Sequence, residues 1–109
     1  MRLPQVWEYF NEVAFGGHMV RPPIFLYKSL AIQVKKKQYE VFGAYAGKPT
    51  WGIWLSKEGL KDIYETLYHE MCHQFLEEIE GEIEHGHGER FKTVYNKGLE
   101  RLMKTKKKV

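Results

Sequence analysis

Three residues in a row of five, His69, Glu70 and His73, are the ones whose types and spacing can do chemistry. In a helix of 3.6 residues per turn, positions i and i+4 lie one above the other, so both imidazoles leave the same face and grip one divalent ion from two points. A zinc ion poised for catalysis takes three protein ligands and keeps a fourth place for water, whose pKa falls to about 7. Glu70, about 100° around the helix from His69, is placed to take a proton from that water. The third ligand must come from elsewhere. The segment Glu84-His85-Gly86-His87-Gly88-Glu89-Arg90-Phe91 offers two histidines. His87 is favoured, because Gly88 allows a tight turn and Phe91 then anchors a new helix. His85 remains an alternative ligand, an outer partner or an exposed group.

These residues need a scaffold. Leu60, Tyr64, Leu67, Met71, Phe75 and Ile79 form an apolar stripe that predicts a helix over 57–80, capped by Ser56 and stopped at Gly81. Glu77, Glu78, Glu80, Glu82 and Glu84 crowd its end and read as mostly solvated. An earlier helix is expected over 4–14, with Pro4 in its first turn and Phe15-Gly16-Gly17 ending it. His18, just after that turn, reads as exposed.

A strand is expected from Ile24 to Tyr27, running on to Ile32 and Val34, and Lys35-Lys36-Lys37 reads as a solvated turn. Residues 38–46 and 50–55 flank Gly47-Lys48-Pro49 and read as a β-hairpin, with Trp51 and Trp54 in the core. Phe91, Val94, Tyr95, Leu99 and Leu102 predict a closing helix with Gly98 as its weak point.

At 109 residues, 43% hydrophobic and 15% aromatic, the sequence suits one packed domain rather than a disordered chain. No apolar run approaches the roughly 20 residues that span a bilayer, and the first residues lack a signal-peptide core, so an intracellular, cytoplasmic location and no membrane partner are expected. Cys72 is the single cysteine, which excludes an internal disulfide and reads as a buried thiol. The net charge is +3, yet residues 101–109 alone hold five positive side chains, leaving −2 for the first hundred. The expected division is therefore a domain over 1–103 and a basic tail over 104–109. Lys104, Lys106, Lys107 and Lys108 are its candidate contacts to a nucleic-acid backbone, against the plainer role of a solvated end.

The histidine motif does not continue as HExxHxxGxxH, since Leu76 and Ile79 occupy the decisive places. His69-Glu70-Met71-Cys72-His73 with Gly86-His87-Gly88-Glu89-Arg90-Phe91 instead resembles the HEMxH and GHGxxF of the SprT-like family of small zinc metallopeptidases, related to Spartan. Weaker similarity runs through Asn11 to Gly17, Gly43-Ala44-Tyr45 and Ile53-Trp54-Leu55-Ser56, nearly the whole chain. The resemblance is to a minimal catalytic domain, because a zinc ribbon needs paired cysteines. It implies an α+β, zincin-like fold: an N-terminal helix, a small, mostly antiparallel three-stranded sheet on the HExxH helix, and a closing helix. It also implies one zinc ion per chain on His69, His73 and His87, Glu70 as acid and base, and peptide bonds as substrate, including those of DNA-crosslinked proteins.

In that mechanism an extended substrate would add as a strand beside residues 51–55. Tyr68, Tyr95 and His85 are candidates for stabilising the charged carbonyl oxygen. The rival reading is a zinc-stabilised nucleic-acid-binding module without catalysis.

Overall fold

The computed structural model describes residues 2–28, 30–34, 37–57, 62–82 and 86–107, with side chains for 2–28, 42–57, 62–82 and 86–105. Helix α1 spans Leu3–Ala14, and strands β1 Ile24–Tyr27, β2 Leu30–Val34, β3 Lys37–Val41, β4 Gly43–Ala46 and β5 Gly52–Ser56 follow. Helices α2, Ile63–Glu78, and α3, Glu89–Lys107, complete the chain. The class is α+β, as the resemblance implied. No helix among the described residues is long and apolar enough to cross a membrane.

The sheet differs from the expectation of a mostly antiparallel one. Three strands lie in the order β1-β5-β4, with β1 parallel to β5 and β4 antiparallel to it. β2 and β3 form a separate antiparallel pair. The expected strand from Ile24 to Val34 is thus two strands in two sheets, and the expected strand 38–46 divides at Phe42 in the same way. The long excursion between β1 and β5 is what lets those two run parallel, since a short turn permits only an antiparallel return. The hairpin itself is present, pairing Gly43 with Leu55 and Ala46 with Gly52. Lys37 opens β3, while Lys35 and Lys36 lie outside the described residues.

The HExxH helix begins later than the stripe suggested. Ser56 is buried at the end of β5, where its hydroxyl donates to the Lys28 carbonyl, and the cap is Asp62, whose carboxylate accepts from the Tyr64 and Glu65 amides. The expected stretch containing Gly59 and Leu60 lies outside the described residues. Helix α2 packs on β4 and β5 with one side and on α1 and α3 with the other. Its burial is therefore not a single stripe: Leu67, Tyr68, Met71, Cys72 and Leu76 are buried, while Tyr64 and Ile79 are exposed. Ile53 and Leu55 complete the core from the sheet. Trp51 and Trp54 are only half-buried, a correction to their expected place: Trp54 stacks on Phe25 at 5.4 Å, and Lys48 Nζ sits 5.0 Å from the Trp51 ring.

Buried polar groups knit α1 to α2. The Asn11 amide donates to the Met19 carbonyl and accepts from its N–H, and Trp7 Nε1 donates to Gln74 Oε1 at 3.2 Å. Gln74 Nε2 donates to the Val20 carbonyl and to Glu78 Oε2. From α3, Arg101 Nη1 donates to the Ala14 carbonyl, satisfying an acceptor that the end of α1 leaves open.

Candidate metal centre

Helix α2 presents His69 and His73 on one face, and the segment before α3 brings in His87. The Nε2 atoms of His69 and His87 are 3.1 Å apart, as are those of His73 and His87, and ligand atoms of all three lie within 4.8 Å of one another. Ligands at 2.0–2.1 Å from a tetrahedral zinc stand about 3.3 Å apart, so the spacing suits one ion. The chemistry of the donor set fits as well. Burial, then the neighbouring His87, lowers the His69 pKa, which favours the neutral imidazole that a metal requires. These three histidines can hold a metal ion.

Phe91 forms the floor of this cluster. Its ring centroid lies 4.9 Å from His69, 4.7 Å from His73 and 4.9 Å from His87, and the residue is itself buried. Phe91 is the third residue of α3 and packs against the rings of His69, His73 and His87, so one side chain both seats α3 and backs the three imidazoles. Its anchoring role was legible in the sequence; its contact with all three imidazoles was not.

Glu70 leaves α2 toward the sheet. An added Cβ on Gly43 would lie 3.0 Å from Glu70 Oε2 and 2.7 Å from Thr66 Cγ2, so the carboxylate occupies the seam between α2 and β4. Burial there pushes its pKa up to about 7. A carboxyl poised near neutrality is suited to both accepting and returning a proton.

The remaining candidates fall in different places. Tyr68 is buried, and its hydroxyl donates to the Tyr95 carbonyl at 2.7 Å, so it is engaged in joining α2 to α3; burial raises its pKa. Tyr95 is half-buried with its ring 6.5 Å from that of His69. It lines a groove of about 320 Å³ with Phe10, Glu65, Tyr64 and Leu99. Cys72 is buried with its thiol pushed up to about 12, chiefly by desolvation, as suits an inert core thiol. His18 is exposed. His85 and Glu84 lie outside the described residues, as does Lys108. Lys104 and the backbone of Lys106 and Lys107 belong to the last turns of α3 rather than to a segment beyond it, and Lys104 pairs with Glu100 at 3.2 Å.

One contact near the cluster carried no signal in the sequence. Arg90 grips Glu80 with a guanidinium fork, Nε to Oε1 at 2.6 Å and Nη2 to Oε2. Glu80 belonged to an acidic cluster that read as mostly solvated, and Arg90 appeared only as a residue of the Gly86–Phe91 motif.

Neither the curated proteins nor the solved structures compared with this chain give a match. A family model does match, that of the SprT-like family, and it covers residues 3–107 from α1 to the last turn of α3. A metallopeptidase-like domain with a three-histidine cluster is the common ground of sequence, geometry and match, and the chain belongs to the SprT-like family.

Proposed function

We propose that the chain is a zinc-dependent endopeptidase in which His69, His73 and His87 hold the ion and Glu70 is the acid and base. The observation that carries this reading is the meeting of the Nε2 atoms of His69, His73 and His87, with Glu70, the residue after His69 on α2, buried. An ion held there supplies Lewis acidity toward a peptide carbonyl and lowers the pKa of water. Glu70 takes a proton from water at its carboxylate and returns it to the departing amine, and its burial, which favours the protonated carboxyl, helps it carry the proton from one to the other.

The substrate strand is assigned to β4 rather than to the expected 51–55. β5 is the central strand, with β1 on one edge and β4 on the other, so it has no edge to offer. β4 pairs with β5 alone among the described strands and lies against Glu70 at Gly43. An extended peptide added there gains main-chain hydrogen bonds whatever its side chains, which suits unfolded or varied protein substrates. Tyr68 is held by α3, which leaves Tyr95 as the tyrosine for the developing oxyanion. DNA-bound proteins as substrates rest on the basic side chains of 101–108, whose phosphate contacts would weaken with salt.

The decisive experiment is Glu70→Gln. The variant should keep one zinc per chain while cleavage of an unfolded or DNA-bound protein disappears; retained cleavage refutes the assignment. Glutamine at Lys104, Lys106, Lys107 and Lys108 should weaken only DNA-dependent cleavage, whereas salt-sensitive DNA binding with no cleavage at all favours the non-catalytic binding module.

A further inference from the structure

His69 and His73 are fixed by the helix that carries them, whereas His87 stands outside regular structure between Gly86 and Gly88, where an added Cβ would meet nothing within 4 Å. Something other than local backbone must fix where its ring sits. Phe91 supplies one tether from inside. The second lies at the surface, where Arg90 and Glu80 close the segment from outside.

Both residues of that pair are themselves anchored. After α2 the chain wraps back on the helix end: the Glu80 amide donates to the Phe75 carbonyl, Gly81 to Glu77 and Glu82 to Leu76. Glu80 is therefore held relative to the turn of α2 that bears His73. Arg90 is the second residue of α3, whose first bond runs from the Lys92 amide to the Gly88 carbonyl, one residue past His87. The two-pronged bond from Arg90 to Glu80 thus joins both ends of the segment that delivers His87. A bidentate guanidinium–carboxylate pair restricts orientation as well as distance, which a single ion contact does not. The Glu80 carboxyl is held below its ordinary range, first by its hydrogen bond with Arg90.

We propose that Glu80 and Arg90 form a latch that holds His87 over His69 and His73, so that a pair which need not touch the ion sets how tightly the chain binds it. They are positioning residues, and the inference rests on the reading of the three histidines as ion ligands. With the latch open, His87 has freedom that must be lost when the ion binds, and affinity falls.

The test is competition for Zn²⁺ with a chromogenic chelator, using the folded metal-free full chain and Glu80→Gln, Arg90→Gln, the double variant and the swapped pair Glu80→Arg/Arg90→Glu. Each single change should weaken affinity roughly 3- to 5-fold, the double variant no further, and the swap should recover most of the loss. The gap between wild type and the singles should close as salt rises to about 1 M, because the pair is partly exposed. Wild-type affinity in both single variants, or additive losses that the swap does not repair, overturns the latch. A wild type that binds no Zn²⁺ overturns the metal reading and the latch together. Binding with the expected pattern but no peptide cleavage removes the peptidase reading and leaves the latch standing.

Discussion

Gly98→Ala is a demanding test of how α2 and α3 dock, because secondary-structure propensity and packing predict opposite signs. In the middle of an exposed helix the change stabilises by about 1 kcal/mol. Gly98 is instead buried in α3, and a Cβ there would overlap Tyr68 Oη, with Tyr68 Cζ at 3.1 Å and Ala14 Cβ at 3.3 Å. Tyr68 cannot easily turn aside, since its hydroxyl donates to the Tyr95 carbonyl and its ring packs on Phe10, Phe15 and Tyr95. Overfilling such a site costs about 1–3 kcal/mol, and the hydrogen bond lost when Tyr68 moves about 1 more. Set against the propensity gain, the net expectation is a loss of about 2 kcal/mol, near 10 °C in Tm for a chain of this size. Urea unfolding of the metal-free protein reads this directly. Tyr68→Phe removes the overlapping atom at a cost of about 1 kcal/mol, so Gly98→Ala/Tyr68→Phe should be no less stable than Tyr68→Phe alone. A Gly98→Ala protein as stable as wild type, or strictly additive losses, would refute the account. Because Tyr68 precedes His69 and Gly98 lies on the helix that follows His87, ion affinity should fall with stability in Gly98→Ala and return in the double variant.

Two further outcomes follow from the cluster. Glu70 has its folded pKa raised to about 7, above an ordinary value near 4.5, so the folded metal-free state binds the extra proton between those values. Its contribution is nil below pH 4.5 and becomes a destabilisation that grows with rising pH and is complete above 7. Metal-free Glu70→Gln should therefore match wild type at pH 4 and exceed it by roughly 3 kcal/mol at pH 8 in denaturant titrations; equal stability at both pH values contradicts the burial of this carboxyl. Phe91→Ala empties the floor beneath three imidazoles and should cost roughly 3–5 kcal/mol of stability, with Zn²⁺ affinity measured on the remaining folded fraction also falling. Unchanged affinity would mean that the ring seats α3 without supporting the histidines.

Much of the site was legible because its parts obey local rules. His69 and His73 share a face whenever residues 69–73 are helical, and His87, Gly88 and Phe91 describe a turn entering a helix. The order of helices and hairpin follows from equally local periodicities, and the resemblance supplied the α+β class. The start of α2 was misread because Ser56 and Asp62 are both good caps, and only the length of β5 decides between them.

What tertiary structure alone decided are the partnerships between distant residues. A run rich in β-branched and aromatic residues such as 24–34 or 38–46 looks the same whether it stays in one sheet or crosses between two, because strand pairing is non-local, and so the division at Phe42 and the central place of β5 were invisible. That central place is why the proposed substrate edge is β4 and not β5. Gly98 read as a weak point in a helix until Tyr68 was found against it. Glu80 looked like a solvated charge and Arg90 had no role of its own, since nothing in their spacing says that α2 and α3 return to the same corner. Residue order carries the chemistry of each group and the angle at which its own element presents it; the distance between groups on different elements is a property of packing, and the ion site depends on both.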